Sequence, residues 1–333
     1  MKVSSTKTTL VTLSITTIAF FMVSWGFIGH ERINNRAVMA LPQPLQTFFY
    51  NHIDYITHES TAPDLRKSVL QDKAEAPRHY FDMENFGSVD SLPKSMEEAK
   101  GKYDEKFLSK NGTLPWYIQE MMIKLTKAFK EKRKAEILFI AGNLGHYIAD
   151  AHMPLHTSDN HDGQNTGQKG IHSLWESKLP ELFVKGYKLN APEGKYLEDV
   201  NQATWAIIFD THSLVDPLLA ADKKLRDVTP ENKMYVTDAS GNIVKNKYGG
   251  MTYSNEYATQ FHTALNGMVE AQMKKAITAT ASFWYTAWVN AGKPDLSDLD
   301  APSVTARNKS NLKKDRKLFK KGNLSGFTTE KED

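Results

Sequence analysis

Between residues 144 and 156 the chain reads LGHYIADAHMPLH, directly after the mostly apolar stretch EILFIAGN. Three histidines and an aspartate therefore enter what otherwise reads as a buried helix. His146 and Asp150 are four residues apart, so they stack on one helical face. Pro154 ends the regular pattern, and His156 follows it on a new trajectory. A stacked His/Asp pair with a third donor just past the helix end suits metal ligation. Four other stretches repeat the theme. IHSLWES places His172 and Glu176 at i and i+4. APRHYFDMEN carries His79 and Asp82 beside aromatics. TAPDLRK puts Asp64 just after a proline, and WGFIGHERIN contains His30. Any one of these pairs alone is read as a surface ion pair or a satisfied hydrogen bond, and His52, His58, His161, His212 and His262 are taken as that background. Their combination points further. The chain has no cysteine, and neutral imidazole with carboxylate is what zinc takes when thiolate is absent. Several such sites would fit a two- or three-metal hydrolase, in which cations lower the pKa of bound water and offset charge on an in-line transition state.

The elements that must position these groups are mostly helical. The 333 residues are 40% hydrophobic and 24% charged, enough for a sizeable core. Helical period predicts helices over 44–56, over 116–151 with a break near 131–135, over 197–215, and over 254–292 as the longest. In the last, Tyr257, Phe261, Leu265, Met268, Ile277, Trp284 and Trp288 form a core stripe, ended by Gly292 and Pro294. KMYVTDASGNIVKNKYGG, 233–250, predicts a small β-hairpin inserted between helices. The chain opens with basic Lys2 and Lys7 before the apolar run LVTLSITTIAFFMV, which predicts a secretory signal peptide over 1–24, with an uncleaved membrane anchor as the alternative. Cleavage after Ser24 would remove two lysines and no acids, taking the formal charge from +3 to +1. Such a balance gives no general electrostatic pull toward polyanions. From 294 to 333 the chain is poor in apolar residues, with a basic cluster at Lys313, Lys314, Arg316, Lys317, Lys320 and Lys321. A solvated, disordered tail is expected, with a patch for nucleic acid, anionic lipid or surface polymer as the sharper reading.

The ordered series W-x4-H, PDLRK, RHYFD, H-x3-D-x-H-x-P-L-H and H-x3-E resembles the superfamily of zinc-dependent single-strand nucleases, the mung-bean-nuclease type, and zinc-dependent phospholipases C. The resemblance covers 25–292. It implies an all-α single domain around a trinuclear zinc cleft. Asp64, His79, His146 and Asp150 would hold one zinc, and His156, His172 and Glu176 a second. Trp25 would hold the third through its free amine and carbonyl, helped by His30, with Asp150 bridging to the first. His152 matches a position that is not a ligand. The implied chemistry is phosphodiester hydrolysis by a hydroxide held between zinc ions, oriented by Asp64, with Arg66 or Lys67 adding positive charge. A free α-amine deprotonates readily beside a cation, so signal removal would complete the site.

Two substrates stay open. W-x4-H and HMPLH follow the nuclease form, in which Tyr80 and Asp82 would contribute a pocket for an unpaired base of DNA or RNA. Glu176 in place of aspartate, and DGQN where nucleases carry two adjacent glycines, follow the phospholipases. The preferred reading is a secreted or periplasmic nuclease with no stable protein partner. A phospholipase C is the alternative, and an inactive zinc-binding surface module a second one.

Overall fold

A computed structural model describes residues 26–245 and 250–327. The expected signal segment, Trp25 and the end of the chain lie outside them.

The fold is all-α. Its helices are α1 (Gly26–Met39), α2 (Leu45–Asn51), α3 (Ile53–Glu59), α4 (Ala62–Ser68), α5 (Met96–Lys102), α6 (Glu105–Asn111), α7 (Leu114–Lys130) and α8 (Lys134–Asp150). They continue with α9 (Leu179–Phe183), α10 (Val200–His212), α11 (Val215–Arg226), α12 (Glu231–Met234), α13 (Asn255–Ala264), α14 (Met268–Asn290) and α15 (Pro302–Lys320). The described residues contain no sheet.

The central helix is α8. From Ile140 to Asp150 every residue is buried, because α1, α3, α7 and α14 surround it. Two glycines make the approach possible. A Cβ on Gly145 would lie 2.1 Å from Oδ1 of Asn34 on α1, and one on Gly142 would lie 2.6 Å from Cβ of Glu59 on α3. Asn34 uses the closeness, donating from Nδ2 to the carbonyl of Gly142 at 2.9 Å. On the far side the Trp284 indole of α14 donates to the carbonyl of Ala141 at 3.0 Å, and its ring stacks on Phe49. The sheath that surrounds α8 thus also fixes the axial position of His146 and Asp150.

Four expectations need adjusting. The segment 44–56 is two helices, because the chain kinks at His52. The longest expected helix is also two: Asn266 and Gly267 take positive φ (47° and 81°) and turn the chain between α13 and α14. The hairpin is reduced to isolated antiparallel bridges, Tyr235–Tyr253, Thr237–Ile243 and Lys245–Met251, and 246–249 lie outside the described residues. Finally, about half of the expected disordered tail is helix. In α15 Val304, Asn308, Leu312, Asp315 and Phe319 form a buried face at i+4 and i+3 spacing, seated on α2. The Tyr50 hydroxyl donates to Asp315 at 2.6 Å, and Asn308 donates to Asn51 at 3.0 Å. Only five positions in nineteen are buried, so mean hydropathy hides the amphipathic face.

Candidate metal centre

α8 delivers its ligand pair at its last turn, where His146 and Asp150 stack toward a common space. The following turn, Pro154–Thr157, redirects the chain and brings His156 back beside Asp150. The chain just past His79 meets this segment, with the amide of Phe81 donating to the carbonyl of His156 at 2.8 Å. α1 contributes His30 and α4 contributes Asp64. One wide turn of π-helix, Ser173–Lys178, presents Glu176 below His172.

Asp150 is the hub. Its Oδ2 lies 3.0 Å from Nδ1 of His79 and 3.2 Å from Nε2 of His146, and those two nitrogens are 3.1 Å apart. Its Oδ1 lies 3.4 Å from Nε2 of His30 and 3.5 Å from Nδ1 of His156. A second cluster sits alongside: Nε2 of His172 is 3.0 Å from Glu176 and 3.3 Å from Nε2 of His156. Donor atoms converge within 4.8 Å in four overlapping groups: His79/His146/Asp150, His30/Asp64/His146, His30/Asp150/Glu176 and His156/His172/Glu176.

The tautomers show that this set fits metal ions. Nδ1 of His146 faces the carbonyl of Ser60 at 2.8 Å, and Nδ1 of His172 faces the carbonyl of His161 at 3.0 Å. A carbonyl only accepts, so in the neutral rings those nitrogens carry the proton and both Nε2 atoms present lone pairs. Each lone pair then faces carboxylate oxygen and another imidazole. Among the described residues, Oδ2 of Asp150 and Nδ1 of His156 have no hydrogen-bond partner despite this crowding. Lone pairs held this close repel unless a cation lies among them. Tetrahedral zinc with Zn–N of about 2.0–2.1 Å needs ligand atoms about 3.3 Å apart, which is the spacing seen.

The electrostatics agree. Burial by itself would raise the Asp150 carboxyl, but His146 and His156 outweigh it and hold it well below the usual range. Burial likewise opposes ionisation of Glu176, yet its hydrogen bond to His172 and the nearby His156 bring it down to about 2. His30 is pushed down to about 4 by burial and by His146 beside it, and His156 to about 4 by burial. The carboxylates are thus ionised and His30 and His156 resist protonation, the states metal ligands require, while burial is outweighed at His146 by Asp150 and at His172 by Glu176, which raise both rings.

The two basic candidates separate. Nζ of Lys67 lies 2.7 Å from Oδ1 of Asp64 and 3.4 Å from Nδ1 of His79, so its charge is at the cluster. Arg66 is not: it donates to Glu75 at 2.8 Å and to Asn143 at 2.5 Å, behind His79. Glu75 escaped the sequence reading. It is fully buried, accepts from Arg66, Arg78 and Tyr147, and sits 3.5 Å from Nε2 of His79, the nitrogen facing away from Asp150. Glu75 and His79 have the same i, i+4 spacing as the other acid/His pairs, a signal that was available. Carboxylates behind a ligating imidazole orient the ring.

At the rim, the Tyr80 hydroxyl donates to the carbonyls of Ser109 and Lys110, and its half-buried ring packs across Gly112. Asp82 is buried, and among the described residues its Oδ1 has no hydrogen-bond partner. Burial, then the neighbouring Glu84 and Asp159, push its carboxyl up to about 7. His152 faces away, its Nδ1 on the carbonyl of Ile148 at 2.7 Å. The background histidines have separate partners: His52 pairs with Asp300, His212 bonds the carbonyl of Thr157, His262 bonds Tyr187, and His58 is exposed. His161 contributes only its carbonyl, to His172. Trp25 lies outside the described residues.

No curated protein sequence matches the chain. The profile of the S1/P1 nucleases, a phosphodiesterase hydrolase family, does match it, from residue 25 to residue 282, the span that contains every convergent donor described above. The chain belongs to the S1/P1 nuclease family and is a nuclease-type phosphodiesterase.

Proposed function

We propose that this protein is a secreted, zinc-dependent enzyme that cleaves single-stranded nucleic acid. The observation that supports it most strongly is Asp150, a buried carboxylate whose two oxygens face four imidazoles at ligand–ligand spacing. His79, His146, Asp150 and Asp64 would hold one zinc, and His156, His172 and Glu176 another. His30 would serve a third, with the amine and carbonyl of Trp25 once residues 1–24 are removed. His30 is only about 6 Å of helical rise beyond Gly26, so a chain starting at 25 begins within reach of the cluster.

Bound zinc would supply Lewis acidity, making a nucleophile available near neutral pH and offsetting charge on the phosphoryl oxygens. The remaining work falls to side chains. Burial opposes ionisation of Asp64, but His146 and Lys67 overcome it, so its carboxylate stays ionised and can orient an attacking water by accepting its hydrogen bond. Lys67 keeps its charge against burial because Asp64 and Asp150 face it, and it adds positive charge beside the phosphoryl group. Tyr80 offers a ring face to an unpaired base. Asp82, protonated over much of the neutral range, can donate to a base edge or accept from one.

A phospholipid head group is the second reading. It is favoured by Glu176 and by Leu65, Val69 and Leu70, exposed apolar side chains on and just after the helix that carries Asp64. The test is a direct comparison of the mature protein on single-stranded DNA or RNA and on phosphatidylcholine vesicles. Preferential cleavage of nucleic acid is expected. Preferential release of diacylglycerol would overturn the nuclease reading and the base pocket with it.

A further inference from the structure

The chain continues past the end of the family match at 282, and α15 lies wholly in that continuation. Its apolar face is already used against α2. Its outer face is a row of cations: Lys309, Lys313, Lys317 and Lys320 follow at i+4, i+4 and i+3, all exposed, about 6 Å apart along the axis. Asp315, the helix's one acid, is buried and bonded to Tyr50. Among the described residues no carboxylate pairs with these lysines.

Where α15 ends, a groove of ≈ 560 Å³ opens between residues 319–325, α1 and the 184–190 segment. Arg32, Arg36, Lys185 and Lys188 line it, and among the described residues no acid does. Arg36 is 5% exposed, and among the described residues its guanidinium donates to the Asn35 amide oxygen and the Leu324 carbonyl and lies over the Phe327 ring. Burial and the adjacent Arg32 push it down to about 10, and among the described residues no carboxylate pairs with it. Helical turns run from Glu176 at the metal centre to Lys185 at the groove, a rise of no more than about 14 Å.

We propose that the outer face of α15 and this groove form an exosite for the phosphodiester backbone of single-stranded nucleic acid, holding the strand while another stretch occupies the metal centre. The inference rests on the nuclease reading for its choice of polyanion. A membrane surface fits less well, because a helix that settles into lipid needs a free apolar face and α15 has already buried its own.

The test replaces Lys309, Lys313, Lys317 and Lys320 by glutamine in the full mature protein, with K185Q/K188Q as a second variant and a thermal melt to check the fold. Affinity for a long, uncleavable phosphorothioate oligonucleotide is measured across salt concentrations. Affinity about tenfold weaker at low salt is expected, with a salt slope smaller by roughly 2–3, since each lost single-strand contact removes about 0.7. The kcat/KM on a dinucleotide should stay within about twofold. Unchanged oligonucleotide affinity in both variants would overturn the exosite. So would an equal loss on the dinucleotide, or lysine-dependent binding to anionic vesicles without binding to the oligonucleotide. Because the binding readout needs no turnover, a protein that loses affinity with its lysines but cuts no nucleic acid would refute the proposed activity and leave the exosite standing.

Discussion

Neighbouring residues of one helix turn can have opposite assignments. Lys67 contacts Asp64 and His79 at the cluster, whereas Arg66 reaches back to Glu75 and Asn143. Adjacent side chains on a helix point about 100° apart, so a motif alone cannot say which one faces the site. The two should fail differently. Lys67→Gln should lower turnover about 10²-fold with the melting temperature nearly unchanged. Arg66→Gln should destabilise by roughly 2 kcal/mol, since it removes one of two cations from a buried carboxylate. Steady-state kinetics and denaturant melts on both variants check this; a turnover loss confined to Arg66→Gln would reverse the assignment. Asp82 adds a pH effect. Its carboxyl titrates at about 7 in the folded chain against an ordinary 3.8, so the folded state binds the proton more tightly. Its contribution to stability therefore falls as pH rises from about 4 to about 7 and stays lost above that. The melting temperature of Asp82→Asn minus that of the wild type should rise by a few degrees across this window and then level off. A flat difference would mean Asp82 ionises normally.

Among the elements, α8 was legible because its apolar period and its ligand pair are both written locally, and the break before it is marked by Lys132 at φ 52°. Its tight setting was not legible. Gly142 and Gly145 matter only because α3 and α1 come against them. Gly145→Ala would drive a methyl group into Asn34, pushing α1 and its His30 away from α8. A loss of about 1–3 kcal/mol is expected, with weaker zinc binding. Denaturant midpoint and zinc titration would check it; an unchanged midpoint would mean the interface relaxes at no cost. The turn at Asn266–Gly267 was overlooked for the opposite reason. The apolar stripe continues through it, so period outweighed a glycine that marks the stop.

At the scale of the molecule, composition was a good guide to the helical class and a poor one to the last forty residues. The cations of α15 dominate its average and hide Val304, Leu312 and Phe319, while its polar anchors, Tyr50–Asp315 and Asn51–Asn308, join residues more than 250 positions apart. Such pairings cannot be read from local spacing. Ending the chain after 293 should therefore harm the fold. The loss of three buried apolar side chains, at roughly 1.5–3 kcal/mol each, should lower the melting temperature by about 10 °C or more. A truncated protein that melts with the full chain would restore the view of this segment as a solvated tail. The structure also describes no helix, among its described residues, that is long and apolar enough to cross a membrane.

If the donors around Asp150 hold zinc and the loaded site cuts single-stranded nucleic acid, metal content and cleavage must rise together. The most direct measurement is a zinc titration of chelator-stripped mature protein, following bound metal and cleavage of a single-stranded oligonucleotide in the same samples. Cleavage should be absent without metal, return in step with bound zinc, and saturate near three ions per chain. Full cleavage by metal-free protein, or a zinc-saturated protein that leaves the oligonucleotide intact, would contradict it.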